Sequence, residues 1–434
     1  MMSMTGTIAK IIREYWESEL PEVKDRELEA HLEEPLISDI VGPRRAGKTY
    51  LMFLLIKKLM KKHSKEETIY INFENRKLLP LRGEYFNEIV EFIHGEQLLD
   101  KHGKVFLFLD EVQRVDGWER YVRSVHDEFK DKIKVLVSGS SADLLSKEYS
   151  RLLTGRHLTT TVLPLSFREY LSFNGLSIKG LPRTEREEAL VKKHLRQYMT
   201  YGGFPEIVLG GDKESMISQL FTDIVARDIL SRTDVRNKNV IEEFANYLAS
   251  NISNLLSFGK MARYFKSRGI KVSVPTLIKY FEHMKDAFLF FDNSIFSYKI
   301  KDQMQYPRKI FSIDNGIASI AGSYGEEKMG AMCENTVAVE LLRRKAITHY
   351  WRAPDGSEVD FVVRKGKAIS PIQVCYRIDS AGTQEREVKA LVKCLREFRV
   401  KEGRLITFDY EGVETADGKR IVYTPLWKFL LAGY

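Results

Sequence analysis

Cysteine is scarce in this chain, and long apolar runs are missing. The 434 residues include three cysteines, Cys333, Cys375 and Cys394, with no CxxC pair and no histidine group nearby. This spacing argues against a disulfide framework and against a structural zinc site. The nearest candidate for a membrane span, residues 287–291, is far too short to cross a bilayer. Because a basic segment followed by an apolar one is also missing at the start, we expect a cytoplasmic protein without a membrane partner.

The composition is that of an ordinary globular protein with an excess of positive charge. Hydrophobic residues make up 44% of the chain and charged residues 29%, which leaves ample material for a core. A length of 434 residues exceeds a single hydrophobic core, so two or more domains are expected. The formal charge of +8 permits a polyanionic partner, but it identifies none by itself.

Short apolar segments alternate with helical segments in the first part of the chain. Residues 7–33 predict a helical lead-in with one apolar face. The predicted strands are residues 36–41, 69–73, 105–109, 133–137 and 158–162. Most of them are apolar on both faces, which is typical of a central parallel sheet covered by helices. Residues 1–170 are therefore predicted to form an α/β domain.

Three further regions are predicted after residue 170. Residues 171–235 have a predominantly helical pattern with a break at residues 201–205. Residues 236–305 contain two short basic helices and then an apolar strand pair, which is the outline of a winged helix. Residues 306–434 return to a mixed α/β pattern. Its predicted elements are a helix at 334–344, strands at 348–351, 359–363 and 372–376, and then a final helix, strand and helix.

A glycine-rich string follows the first predicted strand. Gly42-Pro43-Arg44-Arg45-Ala46-Gly47-Lys48-Thr49 fits the GxxxxGK[ST] pattern, and a strongly helical segment follows it. The glycines allow backbone N–H groups to surround phosphates, Lys48 would reach the β and γ oxygens, and Thr49 would bind Mg²⁺. The sequence therefore predicts an ATP and Mg²⁺ site at residues 42–49, with Tyr50 beside it.

Two carboxylates end the predicted strand at residues 105–109. Asp110 is the candidate for holding the metal, because a P-loop fold places an acid at this strand end. Glu111 is the candidate general base that would orient the attacking water. The alternative is that Glu111 only caps the helix that follows.

Hydroxyl and guanidinium groups follow further along the chain. Ser138, Ser140 and Ser141 come at the end of the next predicted strand, beside the phosphate crevice, and Ser138 is a candidate sensor of the γ-phosphate. Arg151 and Arg156 flank a short Leu-Leu-Thr-Gly string. Arg156 is a candidate for stabilising transition-state charge in its own subunit or in a neighbouring one; the alternative is a plain surface arginine.

These strings together carry a family resemblance over about residues 30–170. The strings are residues 42–49, Leu109-Asp110-Glu111-Val112-Gln113, Ser138-Gly139-Ser140-Ser141, Leu153-Thr154-Gly155-Arg156 and Leu163-Pro164-Leu165-Ser166-Phe167. They resemble the archaeal and bacterial AAA-type ATPases of the AAA_14 group. Glu334-Asn335, Trp351-Arg352, Glu358-Val359-Asp360-Phe361 and Ile372-Gln373-Val374 resemble the DUF4143 region that such proteins carry. The resemblance implies an ATPase of the AAA+/STAND neighbourhood.

The predicted winged helix is a candidate DNA-binding surface. Its second helix would direct Thr276, Lys279 and Tyr280 toward a groove or toward phosphates, with Lys260 and Lys271 on the DNA backbone. The alternative is a winged helix that packs against protein and leaves its lysines solvated.

The last region resembles the PD-(D/E)xK nuclease core, a restriction-endonuclease-like α/β fold. Glu334 or Glu340 and Asp360 are the candidate acids, but the expected E-x-K position has Gln373 and Cys375 instead of the Glu and the Lys. Nuclease chemistry needs both missing groups for the metal and its water. We expect this fold without nuclease activity, as a module that binds a DNA duplex or junction.

Three functional hypotheses follow. The leading one is an ATP-driven motor or remodeller of DNA, such as branched DNA, that acts as a homo-oligomer. The second is a STAND-type signalling switch, in which ATP holds a closed monomer until a protein partner opens it. The third is an ATP-dependent nuclease. DNA-stimulated hydrolysis would favour the first, and slow turnover unaffected by DNA would favour the second.

Overall fold

Two units divide the chain, Met1–Leu163 and Pro164–Tyr434. A computed structural model describes residues 6–28, 30–139, 155–178, 180–230, 238–320, 326–378 and 381–432. Within these ranges, none of the helices is both long and apolar enough to pass through a membrane.

A five-stranded parallel sheet organises the first unit. Its strands are β1 (Ile37–Val41), β2 (Thr68–Asn72), β3 (Val105–Asp110), β4 (Ile133–Ser138) and β5 (His157–Thr161). Its helices are α1 (Thr7–Glu17), α2 (Lys48–Leu59), α3 (Tyr85–Gly95), α4 (Leu98–His102) and α5 (Trp118–Phe129). The sheet order is β2-β3-β4-β1-β5, and every residue of β1, β3 and β4 is buried. All five predicted strands are confirmed, and the three that are fully buried, β1, β3 and β4, are covered on both faces.

The N-terminal lead-in is helical over a shorter stretch than its sequence predicts. Helix α1 ends at Glu17, and no helix is present in residues 18–28 and 30–36. Pro21 explains the limit, because proline disfavours helical backbone in the preceding residue. Leu20, Val23 and Leu28 instead pack individually against the core around α2. The prediction of a helix through residue 33 is therefore wrong beyond α1.

Helices come first in the second unit. They are α6 (Phe167–Phe173), α7 (Glu185–Tyr201), α8 (Pro205–Leu209) and α9 (Lys213–Asp223), which continues as π-helix over Ile224–Ile229. The predicted break at residues 201–205 is confirmed. Gly202 has φ 75°, and a Cβ there would lie 1.7 Å from Asp314 Oδ1, so the turn requires glycine.

A small antiparallel sheet with three helices follows. The helices are α10 (Lys238–Ser250), α11 (Phe258–Ser267) and α12 (Val274–Asp286). The strands are β6 (Leu255–Leu256), β7 (Phe290–Asn293) and β8 (Arg308–Ser312), in the order β6-β8-β7. A short helix, α13 (Ile300–Gln305), lies in the connection from β7 to β8. Ser273 caps α12 by accepting from the Thr276 N–H at 3.2 Å.

A six-stranded mixed sheet completes the second unit. Its strands are β9 (Ile347–Arg352), β10 (Glu358–Lys365), β11 (Ala368–Cys375), β12 (Glu402–Thr407), β13 (Gly412–Ala416) and β14 (Lys419–Pro425). The helices are α14 (Asn315–Ser319), α15 (Glu326–Arg343), α16 (Ala381–Glu397) and α17 (Leu426–Leu431). In the order β13-β14-β12-β11-β10-β9, the pairs β11–β12 and β12–β14 are parallel and the others antiparallel. The predicted helix and three strands are confirmed, whereas the β13–β14 hairpin was not predicted.

Candidate functional site

The glycine-rich loop lies between the end of β1 and the start of α2, as its sequence predicts. Gly42 has φ 152°, and a Cβ there would lie 2.1 Å from the Val162 carbonyl oxygen. Gly47 has φ 94° and forms the N-terminal cap position of α2. Both positions therefore require glycine, as the GxxxxGK[ST] pattern predicts.

Lys48 lies inside this loop. Lys48 is 8% exposed, and its Nζ donates to the carbonyl oxygens of Gly42 and Pro43, each at 3.1 Å. These carbonyls hold the ammonium at the mouth of α2, whose N-terminus favours anions.

Asp110 is fully buried at the end of β3 and accepts hydrogen bonds from three hydroxyl groups. Thr49 Oγ1 and Tyr70 OH donate to its Oδ2 at 2.7 and 2.9 Å, and Ser138 Oγ donates to its Oδ1. The direct Thr49–Asp110 pair fits Mg²⁺, which usually takes few protein oxygens and completes its shell with water and phosphate. These two side chains would hold the metal.

Tyr70 is a site residue that sequence reasoning missed. It lies on β2, which pairs with β3 so that Asn72 is opposite Asp110. Burial, together with the charge of Asp110, raises the pKa of the phenol, so Tyr70 remains a hydrogen-bond donor to that carboxylate. The available signal was a tyrosine near the end of a strand, but the sequence does not state which strand neighbours β3.

Glu111 turns sharply away from the end of β3. Its φ of 53° is unusual for a residue other than glycine, a strain that clusters at functional positions. Gln113 Nε2 donates to Glu111 Oε2 at 2.6 Å and orients the carboxylate. Burial raises the pKa of Glu111, an effect that Lys48 and Gln113 partly oppose. Glu111 occupies the N-terminal cap position of the short helical turn that follows but makes no side-chain capping hydrogen bond to it.

The remaining predicted groups of this unit occupy different places. Ser138 lies beside Asp110, and its hydroxyl donates to that carboxylate. Ser140, Ser141 and Arg151 lie outside the described residues. Tyr50 is 58% exposed in the first turn of α2.

Arg156 lies at the opposite edge of the sheet from the glycine-rich loop. It precedes β5, whose His157 pairs with Ile37 at the start of β1. About 13 Å of strand separates this edge from the loop, at about 3.3 Å per residue. Arg156 Nε donates to Asp127 at 2.9 Å. Arg156 therefore lies too far away to contact a phosphate at the loop of its own subunit. A role in a neighbouring subunit stays a prediction, and its exposed ion pair with Asp127 also fits the alternative of a surface arginine.

Arg26 is a second residue that the sequence did not indicate. Its guanidinium donates to the carbonyl oxygens of Ala46 at 3.1 Å and Leu163 at 2.9 Å. These bonds tie the non-helical part of the lead-in to the glycine-rich loop. Arg44 and Arg45 also have interaction partners, and Arg45 has φ 64°.

In the second unit, a buried lysine lies among three carboxylates that include two of the predicted acids, Glu334 and Asp360. Lys309, on β8, is 3% exposed, and its Nζ lies 3.0 Å from Glu334, 2.9 Å from Glu358 and 2.7 Å from Asp360. Burial alone would lower the pKa of Lys309, but these carboxylates raise it above its ordinary value, so the ammonium stays charged. We call Lys309, Glu334, Glu358 and Asp360 the ion cluster. Lys309 was not predicted, because β8 is distant from the acids in sequence.

Gln373 adjoins the ion cluster, whereas Glu340 does not. Gln373 Oε1 accepts from the Asp360 N–H at 3.1 Å, and its Nε2 donates to Glu387 Oε2 at 2.6 Å. Glu340 instead pairs with Arg344 at 2.7 Å, so of the two candidate helical acids Glu334 lies at the ion cluster and Glu340 does not. Among the described residues, no group of three or more His, Cys, Asp or Glu is arranged to hold a metal ion.

Replacing Lys309 with methionine is expected to lower the free energy of unfolding by about 3–5 kcal/mol at pH 7, because it leaves buried carboxylates without their cation. Denaturant unfolding measures this difference. Lys365→Met, at an exposed position of the same unit, is the matched control and should change stability by less than about 0.5 kcal/mol. Equal stability of the two variants would contradict a structural role for the ion cluster.

The predicted DNA-binding residues lie on α11, on α12 and between them. Lys260, Lys271 and Lys279 are exposed, and the Thr276 hydroxyl lies 2.8 Å from the Ser273 hydroxyl. Tyr280 is only 9% exposed, so the expectation that it faces a ligand is wrong. Its place on α12 faces the interior, one turn after Leu277.

The parallel sheet, the loop after β1 and the acids after β3 define an AAA-type P-loop ATPase. The AAA domain family AAA_14 matches residues 35–171, and two domains of unknown function, DUF8612 and DUF4143, match residues 192–327 and 329–429. The chain belongs to the AAA_14 family of AAA-domain proteins with a C-terminal DUF4143 region.

Relatives match along nearly the whole length. "Uncharacterized protein MJ1544" of Methanocaldococcus jannaschii is 35% identical over 421 residues, covering 94% of this chain and 91% of that protein. An "Uncharacterized protein" of Haemophilus influenzae is 28% identical, covering 96% of this chain and 98% of that protein. Among solved structures, the Walker-type ATPase paby2304 of Pyrococcus abyssi is 15% identical, with a TM-score of 0.41 over 67% of this chain and 91% of that one.

Proposed function

We propose that this protein hydrolyses ATP with Mg²⁺ and uses the hydrolysis to bind or remodel DNA, including branched DNA, as a homo-oligomer. The observation that carries the ATP site is the group formed by Lys48, Thr49, Asp110 and Glu111 around the loop after β1. These side chains would supply a phosphate-binding cation, two metal ligands and a candidate base, which supports the proposal.

In the proposed reaction, the phosphates of ATP replace the carbonyl partners of Lys48, and the loop N–H groups bind their oxygens. Thr49 and Asp110 would hold Mg²⁺, which neutralises phosphate charge when bound. Glu111 accepts a proton from a water molecule while the water oxygen attacks the γ-phosphorus. The bond between the γ-phosphorus and the β–γ bridging oxygen then breaks. The products are ADP and phosphate. Gln113 keeps the Glu111 carboxylate oriented for this step.

A winged helix is the proposed DNA-binding element. The chain order α10-β6-α11-α12-β7-β8 and the sheet order β6-β8-β7 support a helix-turn-helix followed by a strand pair and its connecting wing. Exposed cations lie along this element and favour contact with phosphates over protein packing. They are Lys260, Arg263, Lys266, Lys271 and Lys279, together with Arg268, which is also ion-paired with Glu243.

The six-stranded sheet is proposed to bind DNA without cutting it. The ammonium of Lys309 is paired with Glu334 and Asp360, two of the predicted nuclease acids, and with Glu358, which supports an inactive centre. Magnesium-dependent cleavage that disappears in Asp360→Ala would contradict this part of the proposal.

DNA binding is tested with a double variant, Lys260→Ala with Lys279→Ala. Loss of two phosphate contacts should weaken binding to all DNA sequences and reduce the slope of log K against log salt by about 1.8. Fluorescence anisotropy with duplex, single-stranded and four-way DNA gives this slope. Lys61→Ala with Lys62→Ala removes the same charge at two exposed positions of the first unit and should leave the slope unchanged.

Two outcomes would overturn the DNA proposal. The first is that the wild-type chain binds none of the three DNA structures at low salt. The second is that the two double variants weaken binding equally. ATP turnover that is slow and unaffected by DNA would instead support a signalling switch with a protein partner.

A further inference from the structure

The connection between β7 and β8 displays unusual apolar exposure. Tyr298, Ile300 and Met304 are 84%, 74% and 75% exposed, the highest values for large hydrophobic side chains in the described parts of the chain. Tyr306 is 50% exposed. Single exposed hydrophobic residues are ordinary, but four within nine positions indicate a contact surface. We call residues 297–306 the tip.

The tip is held in place by its own hydrogen bonds and by its base. Ser297 Oγ donates to Asp302 at 2.8 Å, and Gln303 Nε2 donates to the Ser297 carbonyl at 2.7 Å. At the base, the Phe296 N–H donates to the Tyr350 carbonyl at 2.7 Å, and Tyr350 OH donates to the Pro307 carbonyl at 2.6 Å. The apolar side chains are therefore presented on an ordered segment, which lowers the entropic cost of binding.

Charge identifies the kind of partner. Lys299 and Lys301 are exposed and alternate with the apolar residues, while Asp302, the acid of the tip, is engaged by Ser297. A flat aromatic ring beside two cations suits a ligand that offers flat apolar faces and negative charge together. Unstacked nucleobases with their phosphates have this chemistry.

We propose that the tip is a wedge that inserts at the branch point of forked or junction DNA. Tyr298 stacks on an exposed base, Ile300 and Met304 fill the opened base step, and Lys299 and Lys301 bind the flanking phosphates. This inference rests on the proposed DNA function and specifies its substrate as duplex DNA with an opened end or branch.

The test uses the full-length chain and a forked duplex with 2-aminopurine at the branch point. Wild-type protein should raise the fluorescence of this base, because the probe brightens when it is unstacked. Tyr298→Ser should bind the fork about fivefold more weakly or worse, abolish the fluorescence rise and leave affinity for blunt duplex within twofold. Tyr298→Trp should retain both signals, since its ring also stacks.

Leu209→Ser is the matched control, because Leu209 is 57% exposed on α8 of the same unit. Equal loss of signal in this control would overturn the wedge, as would an unchanged rise in Tyr298→Ser. The inference also fails if Tyr298→Ser leaves fork binding intact but disrupts self-association, a protein complex or binding to anionic lipid vesicles. If wild-type protein binds no DNA, the proposed function fails as well; if it binds and only the wedge variants are silent, the proposed function stands.

Discussion

In Lys48→Ala, ATP hydrolysis is expected to fall by at least about 100-fold, the scale seen when one preorganised electrostatic group is removed from a reacting centre. The carbonyls of Gly42 and Pro43 hold the ammonium inside the loop. The first turn of α2 contains no other cationic side chain. The bound phosphates would therefore lose the cation that replaces these contacts. Phosphate release at saturating ATP, together with titration of a fluorescent nucleotide, measures turnover and affinity separately.

Lys58→Ala provides the matched control on the same helix. Lys58 is exposed near the end of α2 and lies away from the loop. The control should keep wild-type turnover, and both variants should unfold within a few degrees of the wild type. Normal hydrolysis in Lys48→Ala would refute the assignment of residues 42–49 as the nucleotide site.

The arrangement of the proposed nucleotide site was largely predictable because its residues are placed by strand ends. Residues 42–49, Asp110 and Ser138 each follow an apolar strand, and parallel strands bring their carboxyl ends to one edge. Their identities and the local pattern sufficed for this inference.

Residues whose roles depend on which elements are neighbours were not predictable in the same way. Tyr70 reaches Asp110 because β2 pairs with β3, and Arg26 reaches Ala46 because a non-helical segment crosses near the loop. Arg156 was predicted near the phosphates, but its place before β5 puts it at the other edge. Periodicity reports the face of an element and not its neighbours.

The ion cluster illustrates the same limit in the second unit. A search for the nuclease lysine along β11 finds Cys375, yet a lysine from β8 lies at the acids. The helical acid was ambiguous for a related reason: Glu334 and Glu340 lie on one helix, and only packing shows that Glu334 contacts Lys309 while Glu340 contacts Arg344. A missing motif residue therefore does not establish that its charge is missing from the fold.

Glu111→Gln is expected to separate nucleotide binding from hydrolysis. The amide keeps the shape of the carboxyl group but cannot accept a proton from water, so turnover should fall by about 100- to 10,000-fold. ATP should remain bound, because Lys48, Thr49 and Asp110 are unchanged. Single-turnover hydrolysis and filter binding of labelled ATP measure the two properties on the same samples.

The pH dependence provides an independent check on Glu111. Burial raises the pKa of this carboxyl, and a base must be ionised to act, so wild-type hydrolysis should decline as the pH falls through a value above the ordinary range for glutamate. The residual rate of Glu111→Gln should not show this decline, which is the acidic limb of the pH–rate profile. Glu128→Gln, the same change at an exposed position of α5, should keep both the rate and the limb. Wild-type turnover in Glu111→Gln would place the base elsewhere, with Asp110 the first alternative.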